Sequence, residues 1–298
     1  MKNLTFLTNK QCEELEILKK RGTNAAMTDF SILLGGWVQR KPGYWHIYGD
    51  NSLEGRTGFY WTKSDDRDNN ACGVGEDGNI YRYDAIRRFG GARPALPFSS
   101  ISSIPTNGES GKRARDGVLE VEYGYYPQKA VSKDMQERLE RAFERRSLSR
   151  TGKKYTTDSR KHNEYDEVFS PKQHEEFGLD GKKYVRVEAN FCLDGCEFEL
   201  SNGESYRDGD PVWVEVSPVK WLVDEKKKIM LTDKLIFAGV QFKYTGDYHT
   251  RDFDKTDIKT FMDRYLSKEL EQARGTIEVG KQSDEEKKFN LENQDYKN

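Results

Sequence analysis

Three short runs decide how this chain is read: Tyr60-Trp61-Thr62-Lys63-Ser64, then Asp77-Gly78-Asn79, then Gly90-Gly91-Ala92-Arg93-Pro94-Ala95-Leu96. The first is an aromatic strand. The second is an Asp-Gly turn, whose residues tolerate positive φ and so reverse the chain into a second strand, Ile80-Tyr81-Arg82-Tyr83. The third lets the backbone approach closely through its glycine pair, and Pro94 places the next segment at a sheet edge or strand start. The loop Asp65-Asp66-Arg67-Asp68-Asn69-Asn70 is too polar to bury.

Working outward, 298 residues suffice for a large core. Hydrophobic residues make up 35% and charged residues 34%, with a mean hydropathy of −0.93. The 12% aromatic content still provides large side chains to bury, which argues against wholesale disorder. With 49 basic and 51 acidic residues the net charge is −2, so contact with nucleic acid requires a local patch. No apolar run approaches a membrane span, and Met1–Leu7 lacks the core of a signal peptide, so a cytoplasmic location is expected.

Upstream, Thr8 and Gln11 form a capping box for a helix bearing Cys12, Leu15 and Leu18 on one face, with Gly22 as its C-terminal cap. Phe30–Leu34 is a buried strand or a single helical turn, and Trp45–Tyr48 a strand. Downstream, the Gly- and Ser-rich segment 105–117 reads as a linker between an N-terminal unit, 1–104, and a second α+β unit, 118–273. Strands are expected at 118–128, 184–191, 212–216 and 219–223, the last two interrupted at Pro218. Ser132 caps a helix with Met135, Leu139, Ala142 and Phe143 on one face, and Thr256 caps another carrying Ile258, Phe261, Met262, Tyr265 and Leu266. The charged tail 274–298 is expected to be disordered.

The order W-x-x-S … D-G … G-x-R-P-A-L resembles an uncharacterised bacterial and phage family similar in fold to C-type lectins and formylglycine-generating enzymes. Tyr126-Pro127-Gln128, Pro218-Val219-Lys220-Trp221-Leu222-Val223 and Asp257-Ile258-Lys259-Thr260-Phe261-Met262 resemble the same family's other half. There those segments usually precede the signature; here they follow it, as two incomplete tandem copies or one permuted fold would. The resemblance implies mixed or antiparallel sheets with few helices, and a hairpin region that serves as a binding surface. It also looks like phage and mobile-element proteins, among them anti-CRISPR proteins that block a type VI, RNA-targeting effector nuclease and its guide RNA.

The expected partner-binding residues are Trp61, Lys63, Asp65, Asp66, Arg67, Tyr81, Arg82, Tyr83, Arg87 and Arg88, since Tyr, Trp and Arg dominate interface energetics. A second candidate is a basic run, Arg138, Arg141, Arg145, Arg146, Lys153 and Lys154, which can grip RNA or an acidic surface. Interleaved Glu137, Glu140 and Glu144 favour a salt-bridged solvated face instead.

No catalytic residue, metal or cofactor is assigned. Cys192 and Cys196 lack the second ligand pair that a structural zinc site needs, and the cysteine motif of formylglycine-generating enzymes has no counterpart in 85–98. Phosphate-binding loops and nucleophile elbows are also missing. A non-enzymatic binding protein is therefore expected, with a lectin-like ligand-binding module as the alternative, whose Asp65–Asn70 loop supplies oxygens for calcium but no clear ligand pattern, and an unrecognised enzyme as a further one.

Overall fold

A computed structural model describes residues 4–38, 56–65, 70–84, 88–107, 111–160, 169–191, 197–243 and 253–271. In chain order the N-terminal part holds α1 (Asn9–Glu14), α2 (Glu16–Arg21), β1 (Ala25–Ala26), α3 (Asp29–Leu33), β2 (Thr57–Gly58), β3 (Tyr60–Asp65), β4 (Asn70–Val74), β5 (Ile80–Asp84) and β6 (Ala95–Pro97). Next come β7 (Lys112–Arg113), β8 (Leu119–Ala130), α4 (Lys133–Glu144), β9 (Ser149–Asp158), β10 (Pro171–Leu179) and β11 (Lys182–Glu188). The chain continues through β12 (Phe198–Glu199), β13 (Ser205–Tyr206), β14 (Pro211–Asp224), β15 (Ile229–Thr232), α5 (Asp257–Phe261) and, after a π turn over Met262–Leu266, α6 (Ser267–Glu271). The class is α+β, with every strand ladder antiparallel.

The long strand β14 organises the fold. Along one edge it pairs with β8; along the other it pairs first with β11 and then with β15. The path extends through β10 to β9 at one end, and through β15 to β6 at the other. Val212, Val214 and Val216 point into the main core, whereas Trp213 points to the opposite face, where α4 packs. Pro218 does not interrupt β14 as expected. The register slips between Pro218 and Lys220, so the strand passes the proline through a bulge, and the Gln128 side-chain amide satisfies the Pro218 carbonyl at 2.7 Å.

The first and last strands of the β8-β14-β11-β10-β9 run face each other. Tyr126 on β8 meets Tyr155 on β9 edge to face at 5.4 Å, so the sheet curls almost into a barrel. The helix running from Asp257 to Glu271 lies along the remaining seam and contacts both strands. It crosses β8 at Gly124 (φ +74°), where a Cβ would stand 3.0 Å from Leu270 Cδ2 and 3.1 Å from the Leu270 carbonyl. Only glycine meets both demands cheaply.

Thr8 and Gln11 form the reciprocal capping box, Gly22 closes α2 with φ +87°, and Thr256 Oγ1 accepts the Lys259 N–H. Two expected helix ends differ: Ser132 precedes α4 without a side-chain cap bond, and the one helix expected from Thr8 to Gly22 breaks at Leu15, whose extended backbone (ψ 125°) separates α1 from α2. The apolar run at Phe30 is the short buried helix α3. The Asp77-Gly78 turn forms, but it joins β4 to β5 rather than β3 to β5. The strand β4 was missed because Asn70-Ala71-Cys72-Gly73-Val74 has little β propensity of its own. Trp45–Tyr48 and the tail 274–298 lie outside the described residues.

The expected boundary at 105–117 is crossed by structure from both sides. Within it β7 pairs with β8, and β6 from the N-terminal part pairs with β15. One buried apolar cluster runs from Leu4 to Leu270. Asp29 of α3 accepts the N–H groups of Ala130 (2.8 Å) and Ser201 (2.9 Å), and Arg93 donates to the carbonyls of Thr23 and Thr232, each at 3.0 Å. The N-terminal part therefore completes the core of the second; segment 105–117 does not divide two cores.

Candidate functional site

The three-stranded sheet β3-β4-β5 holds most of the expected partner-binding residues, but it divides them. Tyr60, Trp61 and Thr62 are all fully buried, because β3 is covered on both faces. The Trp61 ring packs edge-on against Phe59 at 4.9 Å, tilts against Phe242 at 5.5 Å and stacks on Phe89 at 6.4 Å. Trp61 is thus a core residue, not the exposed anchor expected. Arg88 is a second correction: 2% exposed, it donates to the Arg160 carbonyl at 2.9 Å and lies 3.8 Å from the Asp158 carboxylate, which Arg160 also engages. A guanidinium can be buried there because a carboxylate and a carbonyl face it. Lys63 is half-buried, with its ammonium 5.8 Å from the centre of the Phe253 ring. Asp65 ends β3, while Asp66, Arg67 and Arg87 lie outside the described residues.

Tyr81, Arg82 and Tyr83 are where a partner could reach them. Strand β5 pairs with β4 on one side and with no other strand among the described residues, and residues 81–84 are all exposed. Successive residues of a strand point to opposite faces, yet neither the tyrosines nor Arg82 is buried. The tyrosines are nonetheless held in place. Tyr81 donates its hydroxyl to Asp77 Oδ2 at 2.6 Å, which raises the phenol pKa and lowers that of the carboxyl. The Tyr83 ring leans edge-on against Phe59 at 4.7 Å and Phe89 at 5.5 Å. Tyr81 and Tyr83 are 41% and 39% exposed; among the described residues the other large exposed hydrophobics are Ile101 and Phe143.

The basic run is partly spent on the protein itself. Arg138 pairs with Asp180 at 2.6 Å, and Arg141 reaches Glu137 at 3.5 Å, the i,i+4 pairing expected of a solvated face. Arg145, Arg146 and Lys154 are exposed and make no ion pair among the described residues. Glu140 instead faces inward. It accepts two bonds from Arg186 (2.8 and 3.1 Å) and one from the Trp213 indole (2.8 Å), which pins α4 to the sheet and lowers the carboxyl pKa. Lys153 leaves the stripe altogether, as its ammonium lies 4.8 Å from the centre of the Tyr155 ring.

That inward lysine belongs to a buried polar group at the β8/β9 seam that sequence reading did not anticipate. Tyr155 donates to Glu176 Oε2 at 2.7 Å, and Glu176 is 1% exposed. Glu269 of α6 accepts the Thr156 N–H at 2.8 Å, and its other oxygen has no hydrogen-bond partner. The Tyr126 hydroxyl also has none. Burial pushes the Glu269 carboxyl up to about 7 and draws the Lys153 ammonium down to about 8. Beside them His174 donates from Nδ1 to the Arg186 carbonyl and accepts at Nε2 from Thr157 Oγ1 at 2.8 Å; burial draws its pKa down to about 4, keeping it neutral. The one available signal was Glu269 lying within an apolar helix stripe between Leu266 and Leu270.

Among the described residues, no three His, Cys, Asp or Glu side chains gather as metal ligands do, and Cys192, Cys196 and most of the Asp65–Asn70 loop lie outside those residues. Cys12 is buried, with its thiol pushed up to about 11, chiefly by desolvation. No described helix is long and apolar enough to cross a membrane. In comparison with known proteins, no family model, curated protein or solved structure matches the chain.

Proposed function

We propose that this chain is a macromolecule-binding protein that acts by occlusion, with the β5 edge as its docking surface. One observation carries this reading: two exposed tyrosines, neighbours in space on a strand edge that no further strand covers among the described residues, each held in a fixed orientation by its neighbours. Rigid aromatic side chains lose little entropy on binding, and an open edge offers backbone hydrogen bonds to an extended partner segment. From the resemblance of the signature, the partner is taken to be a type VI, RNA-targeting CRISPR effector nuclease, and the chain a phage or mobile-element inhibitor acting in the host cytoplasm.

The test is a pull-down of a purified type VI effector with its guide RNA, using the full chain and a Tyr81→Ala, Arg82→Glu variant. A stable complex lost in the variant, with an unchanged thermal midpoint, supports both surface and partner. A complex that survives the double substitution overturns the β5 surface. No complex with the effector overturns the assignment of partner.

A further inference from the structure

Two lysines illustrate how this fold treats a buried ammonium. Lys259 is buried, and its Nζ lies 2.6 and 2.7 Å from the two carboxylate oxygens of Asp263, one turn along the helix. Lys153 is half-buried at the β8/β9 seam, yet no carboxylate lies within 4 Å of its Nζ among the described residues. Among the described residues its Nζ makes one hydrogen bond, a long one of 3.5 Å to the Tyr125 carbonyl across the seam, and it lies over the face of the Tyr155 ring. A carbonyl and an aromatic ring hold an amine in position without supplying a full counter-charge.

We propose that Lys153 is a nucleophilic amine, a site of acylation by small activated acyl donors such as acyl phosphates and thioesters. The neutral amine attacks the acyl carbon, the C–N bond forms, the C–O or C–S bond breaks, and phosphate or thiolate leaves with its electron pair. The proton shed by the nitrogen passes to solvent, and the resulting amide keeps one N–H to donate to the Tyr125 carbonyl. Nothing is oxidised or reduced.

Burial favours the neutral form, against the ring face and the carbonyl, which favour the charged one. Desolvation lowers the Lys153 pKa to about 8, and the charge of Lys183 on β11 acts in the same direction. Glu176 on β10 and Glu269 on α6 oppose it, but from beyond ion-pair distance, and Glu269 is itself protonated for part of the neutral range. At pH 7.5 roughly a quarter of such an amine is neutral, against about one part in a thousand for an ordinary lysine. Even after the lower intrinsic nucleophilicity of a weaker base, the advantage is on the order of ten-fold.

The experiment treats the full chain with limiting acetyl phosphate at pH 7.5 and follows each lysine by peptide mass spectrometry. Lys154, exposed on the same strand, is the internal reference. Lys153 is expected to acetylate on the order of ten-fold faster than Lys154, and the two rates should converge in unfolding concentrations of urea. A Lys153 rate no greater than that of Lys154 in the folded chain overturns the proposal. So does a preference that persists in urea, since the fold would then not be its source. A Glu176→Gln variant should move the pH midpoint of Lys153 acetylation downward, by removing an opposing charge; an unmoved midpoint counts against the seam as the cause.

Discussion

The carboxylate of Glu269 accepts the backbone N–H of Thr156 at 2.8 Å, tying α6 to the outer edge of β9 across 113 residues of sequence. Strand β9 has β10 on its other side, so without this carboxylate a buried N–H at the seam would lose its acceptor. The same interaction traps an ionisable group in the core, and that makes the stability of the closed seam depend on pH.

Glu269 has a pKa of about 7 in the folded chain, above the ordinary carboxyl value of 4.5. The folded state therefore binds more protons than the unfolded state between those values, and stability falls as pH rises from 4.5 through 7. The loss is on the order of 3 kcal/mol. A Glu269→Gln variant keeps an acceptor for Thr156 without the charge. Urea titration should find it more stable than the parent at pH 8, by about 1 to 3 kcal/mol, and equal to it at pH 4. Equal destabilisation at both pH values would remove Glu269 as the titrating group.

His174 acts in the opposite sense at lower pH. Its folded pKa of about 4 lies below the ordinary 6.5, so the unfolded state binds the extra proton between those values. Its contribution is complete above pH 6.5 and is lost as pH falls through 4, again on the order of 3 kcal/mol. A His174→Gln variant should lose less stability than the parent between pH 7 and pH 4. If chemical denaturation gives the two proteins parallel stability curves over that range, the buried neutral imidazole is not a source of acid sensitivity.

The strand pair β6–β15 and the bonds of Arg93 to Thr23 and Thr232 carry a prediction about truncation. A fragment of residues 1–104 lacks β15 and β14, against which its own apolar surface is buried. Expressed alone, it should give a collapsed amide proton spectrum and no cooperative thermal transition, whereas the full chain gives both dispersion and a transition. A fragment that melts cooperatively would show that the N-terminal part carries a self-sufficient core.

Legibility in this chain follows the sequence distance between interacting groups. The Thr8 and Thr256 caps, the glycine end of α2 and the Asp77-Gly78 turn could all be read, since each is settled by atoms within about four residues of one another. Tyr81 and Tyr83 were recognised as surface candidates from residue type. Trp61 and Arg88 were chosen on the same grounds and lie in the core, because the groups covering them, Phe242, Asp158 and Arg160, come from 70 to 181 positions later in the chain. By itself the sequence determined the Thr8 and Thr256 caps and the Asp77-Gly78 turn, because those choices depend on local hydrogen bonds and backbone strain. Only the tertiary structure decided which aromatic and charged side chains are buried, and that Lys153, Glu176 and Glu269 meet at one seam. Desolvation acts on whatever surface the distant strands happen to cover.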